Sequence, residues 1–211
     1  MAIKGNYTVR PISYQVATEI IIKNHYLHRR APCSAAFGLF DINDEIKGVV
    51  IYGVSPSSTL LKGICGPEEQ KNVYELTRLW VHDDVPKNGE SFLIGQSINK
   101  LDREIIVSFA DSSQDHLGVV YQATNFMYTG LSSKFKDPKV KGLEHQHHAT
   151  YANGLTNKQV IEKFGEENVY FVDRPRKHRY IYFNCSSRRK KELMAKLRYK
   201  VLPYPKKEIE V

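Results

Sequence analysis

The sequence of 211 residues has few cysteines and no long apolar run, and each absence excludes a class of protein. Its three cysteines, Cys33, Cys65 and Cys185, are odd in number and widely spaced. That pattern argues against a disulfide framework and favours a reducing compartment. No apolar run approaches the roughly 18 residues that a membrane-spanning helix needs. The first residues also lack the apolar stretch of a secretory signal, so we expect no membrane partner.

Apolar and charged residues occur in ordinary amounts, 41% and 26%, which predicts a globular chain rather than a disordered one. The positive charge is unevenly distributed. Residues 1–133 contain 12 Lys and Arg against 14 Asp and Glu, whereas residues 134–211 contain 19 against 9. A basic block with interleaved tyrosines is typical of a protein that binds a polyanion, although a solvated basic tail has the same composition.

Hydrophobic periodicity predicts strands alternating with helices, which is the pattern of a mixed α/β sheet. The predicted strands cover residues 7–11, 35–41, 46–54, 73–81 and 105–110. Two further strands, at residues 170–172 and 179–183, are predicted to pair with each other. A first predicted helix begins at Ser13. Further predicted helices cover residues 91–101, 116–124, 157–164 and 186–197. Residues 55–72 are predicted to form a loop, because glycine and proline are frequent there.

Strict alternation along the strand at residues 73–81 places Arg78 on one face with Leu76 and Trp80, and Glu75 on the other face. A lone guanidinium on such a face needs a partner. That partner is either a carboxylate or phosphate of a ligand, which makes Arg78 a candidate site residue, or a buried acid of the protein.

The order of these elements resembles the fold of the GNAT family of acyltransferases. Many GNAT helices end in the pattern Leu-Tyr-x-x-x-Gly-Phe, and residues 120–126 read Val-Tyr-Gln-Ala-Thr-Asn-Phe. Asn125 stands where Gly is usual, and Asn is the best replacement for Gly where a helix ends in a left-handed residue. With the charge distribution, the resemblance predicts a GNAT-like core over residues 1–133 and a basic part over residues 134–211 that completes the sheet and contacts DNA.

A closer resemblance, to the bacteriophage Mom family, covers nearly the whole chain. The stretches that carry it stand at residues 24–29, 36–40, 75–79, 90–93, 106–111, 120–131 and 176–180. It implies a phage-encoded enzyme that converts the N6 amine of adenine in DNA to an N6-(carbamoylmethyl) derivative and so protects the DNA from restriction. It also implies double-stranded DNA and a small-molecule group donor as partners, and the cytoplasm of a host bacterium as location. A homodimer is a further expectation.

Four other residues are candidates for the chemistry. Asp111 follows the strand at residues 105–110, where ligands bind in such sheets, and can act as base, or it closes a turn. Tyr121 stands where several GNAT proteins place a proton donor, or it is a structural tyrosine. Tyr26 can stack on a flipped base, with His25 beside it, or both simply end a solvated helix.

Cations that can contact DNA phosphates cluster after the first helix and in the basic part. They are His28, Arg29, Arg30, Arg174, Arg176, Lys177, Arg179, Arg188 and Arg189.

The loop before the helix at residues 91–101 contains the candidates for donor binding, Lys87, Asn88, Gly89 and Ser91. Backbone N–H groups at a helix start can face an anion, although Ser91 can equally be a helix cap. GNAT proteins hold the coenzyme A pyrophosphate here with Arg/Gln-x-x-Gly-x-Gly/Ala, and this chain departs from that pattern. The donor is therefore unknown, with a coenzyme A thioester as one candidate.

Residues 144–148 include three histidines and a glutamate, which are ligands that iron or zinc accepts. Their spacing is not that of a structural zinc site, and histidines in exposed loops are more often solvated. We therefore assign no metal ligand and keep iron as an alternative.

Two other functions stay open. An intact coenzyme A loop would favour an acetyltransferase acting on a small amine or a protein, and the loop here departs from that pattern. A non-catalytic antirestriction factor that binds DNA would not need Asp111 but would need the cations at residues 174–179.

Overall fold

The computed structural model describes residues 3–146, 148–152 and 154–206. In these ranges the strands are Thr8–Pro11 (β1), Ala35–Phe40 (β2), Ile46–Gly53 (β3), Val73–Val81 (β4), Ile105–Asp111 (β5), Met127–Leu131 (β6), Lys136–Val140 (β7), Val169–Asp173 (β8) and Lys177–Phe183 (β9). The α-helices are Tyr14–Asn24 (α1), Ser58–Cys65 (α2), Gly89–Ile98 (α3), Val119–Ala123 (α4), His148–Ala152 (α5), Asn157–Phe164 (α6) and Ser187–Lys196 (α7). Short 3₁₀ turns cover Pro67–Asn72, Ser112–Gln114 and Glu166–Asn168. None of the helices described is long and apolar enough to cross a bilayer.

Seven strands form one mixed sheet in the order β1-β2-β3-β4-β5-β9-β6, and β7 pairs with β8 in a separate small sheet. In the large sheet β4 and β5 run parallel, and the other neighbouring pairs run antiparallel. This confirms the predicted mixed α/β architecture. β9 comes from the basic part of the chain and lies between β5 and β6.

Helices cover both faces of the large sheet, because alternate residues of its strands point to opposite sides. On β5, Ile106 packs in the core formed with α3 and α4, whereas Ile105 and Val107 pack in the core formed with α2 and α7. α1 covers the second face further along, where Ile21 packs on β2 and β3. The small sheet has a core of its own with α5 and α6.

Three predicted elements were wrong. The predicted loop at residues 55–72 contains α2, which Ser57 caps by accepting a hydrogen bond from the backbone N–H of Leu60. β8 pairs with β7 and not with the strand at 179–183. The helix predicted from residue 116 begins only at Val119, because Gly118 adopts a left-handed conformation with φ of 71°. The left-handed Asn125 after that helix, with φ of 60°, agrees with the prediction.

A β-bulge in β4 changes which residues share a face. Ile51 of β3 lies opposite Arg78, but the next residue, Tyr52, lies opposite Leu76, so Thr77 is the extra residue. Leu76 and Leu79 consequently pack in the same core, beneath α3. Arg78 therefore lies on the face of Glu75, which corrects the face predicted by strict alternation.

Candidate active site

The candidate site lies where β4 and β5 separate. The two strands pair only from residues 73 to 75 with residues 105 to 107, and beyond that point they diverge. A cavity of about 380 Å³ opens between the ends of the two strands, beside the N-terminal part of α4. This is where a mixed α/β sheet exposes the carboxyl ends of parallel strands to a ligand.

The cavity brings together all five residues that the sequence singled out for the chemistry. His25 and Tyr26 follow α1, Arg78 lies on β4, Asp111 ends β5 and Tyr121 lies on α4. Four further ionisable residues line the same space: Glu75, Glu90, His116 and Lys177. The fold thus places carboxylates, cations and aromatic rings from distant parts of the chain around one cavity.

Asp111 is held by several donors. Its Oδ1 accepts hydrogen bonds from the backbone N–H of Ser113 at 3.1 Å and from the Ser113 hydroxyl at 2.7 Å. Its Oδ2 lies 3.1 Å from Nζ of Lys177. Burial alone raises the pKa of Asp111, but the hydrogen bonds from Ser113 and Lys177 outweigh burial, so the pKa lies below its ordinary value. The predicted turn is therefore present, and Asp111 also lines the cavity.

Glu75 is a further carboxylate of the cavity, and its environment differs from that of Asp111. Burial raises the pKa of Glu75, while a hydrogen bond from Ser55 and the charges of Lys177 and Arg78 oppose that rise without cancelling it. Of the residues that sequence reasoning missed, Glu75 has the most unusual environment. Glu75 could not be identified from its local sequence, because the bulge at Thr77 determines which side chains lie beside it.

The Arg78 guanidinium is positioned by backbone oxygens. It donates to the carbonyl of Thr77 at 2.6 Å and to the carbonyl of Arg30 at 3.3 Å. Its Nε is buried and has no hydrogen-bond partner within the described residues. Burial and the charge of Arg29 lower the pKa of Arg78. A desolvated guanidinium with a spare donor is suited to an anionic or carbonyl group of a ligand.

Tyr26 lies at the mouth of the cavity with 47% of its surface exposed. Its ring stacks on His25 with centroids 4.4 Å apart, and it meets His116 edge to face at 6.3 Å. Burial and the charges of Arg78, His28 and His116 lower the pKa of His25 to about 4, so its imidazole is neutral at pH 7. A half-exposed aromatic ring that is stacked on a neutral imidazole can also stack on a base.

Tyr121 is buried beside Phe126 and Tyr180. Burial raises its pKa to about 12, although a hydrogen bond with Ser108 partly opposes the rise. The phenol therefore keeps its proton at neutral pH, as a proton donor must.

A second, larger cavity of about 620 Å³ is lined by three of the four predicted donor-binding residues, Lys87, Asn88 and Ser91. Asn88 is the N-cap residue of α3 in a left-handed conformation, and the Ser91 hydroxyl donates to the Asn88 carbonyl instead of capping the helix. Gly89 is buried and does not line the cavity, and a Cβ at this position would lie 2.5 Å from Cγ1 of Val85. The amide, hydroxyl and ammonium groups here fit an anionic donor.

The predicted DNA-contacting cations have different surroundings. His28, Arg29, Arg30 and Arg188 are exposed, and Lys177 lies in the cavity. Arg174 pairs with Asp137, and Arg176 donates to the carbonyls of Ser132 and Leu131. Arg189 pairs with Glu69 and Glu104.

Arg179 corrects the prediction of a DNA contact. It is buried, donates to the hydroxyl and carbonyl of Thr129 at 3.0 and 2.8 Å, and covers the Tyr199 ring at 3.5 Å. The guanidinium therefore has a structural role and is not accessible to a phosphate.

The predicted histidine cluster falls partly outside the described residues, since His147 is not among them. In the part of the chain that is described, no group of three or more metal-ligating side chains comes together.

The chain belongs to the Mom protein family, whose model matches residues 6–206. One relative is the methylcarbamoylase Mom of Escherichia phage Mu, which is 32% identical over 212 residues. That alignment covers 94% of this chain and 83% of the relative.

Solved structures similar to the chain include GNAT acetyltransferases. One is yncA of Salmonella typhimurium with acetyl-CoA, at 11% identity and a TM-score of 0.48, covering 86% of this chain and 96% of that one. Another is an acetyltransferase of the GNAT family from Bacillus cereus, at 14% identity and a TM-score of 0.46, covering 86% and 100%. Likeness at this level does not bear on what this chain binds.

Proposed function

We propose that this protein is a transferase that modifies the N6 amine of adenine in double-stranded DNA, adding a carbamoylmethyl-type group. The observation that carries the proposal is the cavity between β4 and β5, which contains Asp111, Tyr26, Arg78 and Tyr121. Membership of the Mom family and the name of the phage Mu relative support the same chemistry. Protection of phage DNA from restriction in the host cytoplasm is the biological role that this activity would serve.

Adenine N6 is a poor nucleophile, because its lone pair is delocalised into the ring. An enzyme cannot reach N6 inside the duplex, so the base must leave the stack. The half-exposed Tyr26 stacks on the extruded base at the mouth of the cavity. Asp111, which Ser113 and Lys177 hold in place, accepts a hydrogen bond from N6–H and orients the amine. Orientation of this kind accounts for much of the acceleration in a reaction between two bound groups.

The group donor is held on the other side of the reacting atoms. A coenzyme A thioester is one candidate, and acyl transfer from its thioester carbon would give an N6-acyl group. A carbamoylmethyl group instead requires a donor whose electrophilic carbon is a methylene. Lys87, Asn88 and Ser91 line the cavity that fits its anionic part. The free Nε of Arg78 binds a polar group of the donor, and Tyr121 donates its proton to the leaving group.

DNA approaches along the exposed cations near the mouth of the cavity. Arg29 and Arg30 come three and four residues after Tyr26 in the chain, and both are exposed. Their charge binds phosphates without reading the sequence. Lys177 belongs to the cavity and not to this surface, since its ammonium pairs with Asp111. A homodimer stays a prediction.

The first test is mass spectrometry of nucleosides from cells that express the intact protein, the Asp111→Asn variant or neither. Asp102→Asn, at an exposed position away from the cavity, is the matched control. We expect a heavier deoxyadenosine with the intact protein and with Asp102→Asn, reduced at least about 100-fold in Asp111→Asn. The added mass identifies the group as carbamoylmethyl, acetyl or another.

Unchanged deoxyadenosine in cells with abundant, folded protein would contradict the proposal. Acetylation of a small amine or a protein would then be the next activity to assay. Protection from restriction without any change in deoxyadenosine mass would instead favour a non-catalytic DNA-binding factor.

A further inference from the structure

Three carboxylates line the cavity. Glu90 is exposed, whereas Asp111 and Glu75 are partly buried and have opposite surroundings. Asp111 and Glu75 come from the neighbouring strands β5 and β4, on either side of the point where the strands separate. Two carboxyl groups whose environments favour different protonation states commonly have different roles in one reaction. The structure therefore raises the question of which of the two takes the amine proton.

Asp111 is poorly suited to take it. Both its oxygens already interact with donors, Oδ1 with two groups of Ser113 and Oδ2 with the ammonium of Lys177. These interactions favour the charged carboxylate and lower its affinity for a proton. An anchored carboxylate of this kind holds a hydrogen-bond donor in place better than it removes the proton.

Glu75 has the complementary properties. Its side chain lines the cavity on the face of Arg78, because the bulge at Thr77 brings both residues to that face. Its one described side-chain hydrogen bond is with Ser55. Burial raises its pKa, which brings its proton affinity closer to that needed at neutral pH.

We propose that Glu75 is the catalytic residue that accepts the proton of the N6 amine, while Asp111 positions the amine. This inference rests on the proposed function. The N6 lone pair forms the new N–C bond to the electrophilic carbon of the small-molecule donor. The bond between that carbon and its leaving group breaks with its electron pair going to the leaving group, and one N6 proton passes to the Glu75 carboxylate.

The groups that act on Glu75 come from several elements. Lys177 of β9 and Arg78 of β4 stabilise its charged form, and so does the hydroxyl of Ser55 after β3. Tyr121 of α4 is close enough for the Glu75 charge to raise the pKa of the phenol. The reaction rate should therefore fall as the pH drops through the raised pKa of Glu75, since protonated Glu75 cannot accept a proton.

The first experiment measures the rate of modification of plasmid DNA by the purified protein. The protein-free small-molecule fraction of a bacterial lysate serves as the source of donor, and mass spectrometry counts modified deoxyadenosine over time. We expect Glu75→Gln to reduce the rate at least about 100-fold, within the range for loss of a general base. Glu75→Asp should retain part of the activity. A Glu75→Gln rate within about threefold of the intact protein would overturn the inference.

The second experiment compares pH profiles. The intact protein and Asp111→Asn should both lose activity toward acid pH, whereas residual Glu75→Gln activity should lack that decline. Ser55→Ala removes a hydrogen bond that lowers the pKa of Glu75, so its decline should shift to higher pH. Thermal unfolding shows whether Glu75→Gln folds. If that variant does not fold, an unshifted decline of activity in Ser55→Ala would still overturn the inference. Failure of the intact protein to modify DNA would instead count against the proposed function.

Discussion

Lys177 Nζ lies 3.1 Å from Oδ2 of Asp111, so a cation expected to contact DNA is part of the candidate active site. The pairing follows from the sheet, because β9 runs antiparallel beside β5 and places Lys177 opposite Asp111. The basic part of the chain therefore contributes a side chain to the same cavity as the first 133 residues.

Replacing Lys177 by Gln should reduce DNA modification about 10- to 100-fold, because Asp111 loses the ammonium that holds it. Stability should change by less than about 1 kcal/mol, since the pair is partly exposed. Nucleoside mass spectrometry and fluorescence anisotropy with duplex DNA measure the two functions separately. Lys136→Gln, at an exposed position on β7, is the control. Full modification with weakened binding would show that Lys177 is a phosphate contact.

His25 should titrate at a pKa of about 4 in the native protein, which NMR of labelled histidine measures directly. Arg78→Ala removes a charge that lowers this pKa and should therefore raise it. In the unfolded chain the imidazole has its ordinary pKa of 6.5 and binds a proton sooner. Stability should thus fall as the pH drops from 6.5 to about 4 and not change further from this cause. An unaltered His25 pKa in Arg78→Ala would contradict the proximity of the two side chains.

The site was predictable where chemistry follows from residue type and strand ends. Asp111 was found in this way, whereas Tyr121 was singled out by the resemblance to GNAT proteins, and both line the cavity. The surroundings of Arg78 were not predictable, because one extra residue in β4, Thr77, reverses the alternation on which the prediction rested. Bulges depend on the pairing of two strands and have no reliable local pattern.

Two errors in the fold have different causes. The helix α2 was predictable, since Leu61, Ile64 and Cys65 are apolar at helical spacing and Ser57 is a cap residue. The frequent glycine and proline around it concealed that pattern. The pairing of β8 with β7 was not predictable, because partner choice between strands is a long-range property of the packed chain.

Glu69→Gln should destabilise the protein, because Glu69 joins the 3₁₀ turn at residues 67–72 to α7. Its buried carboxylate accepts from Arg189 and Lys196, each at 2.6 Å. Burial alone would raise its pKa, but these hydrogen bonds and that from Asn72 lower it to about 2. We expect a loss of about 2–3 kcal/mol in the free energy of unfolding at pH 7.

The same contribution should disappear in the intact protein as the pH falls from the ordinary value of 4.5 to about 2. Urea unfolding at several pH values checks both expectations. Glu68→Gln, at the exposed neighbouring position, is the control. Equal acid sensitivity of the intact protein and Glu69→Gln across this range would contradict the assignment.

Arg179 and Arg188 should respond in opposite ways to loss of their charge. Arg179→Met removes two hydrogen bonds to Thr129 and the contact with the Tyr199 ring, so it should cost about 2–4 kcal/mol of stability.

Arg188→Gln, at a side chain that is 93% exposed, should change stability by less than about 0.5 kcal/mol. If Arg188 contacts a phosphate, its loss should weaken DNA binding for all sequences. The number of counterions released on binding, measured from the salt dependence of the affinity, should fall by about one. Urea unfolding and anisotropy titrations at several salt concentrations measure these effects. Weakened DNA binding by a fully stable Arg179→Met would show that the guanidinium reaches DNA after all.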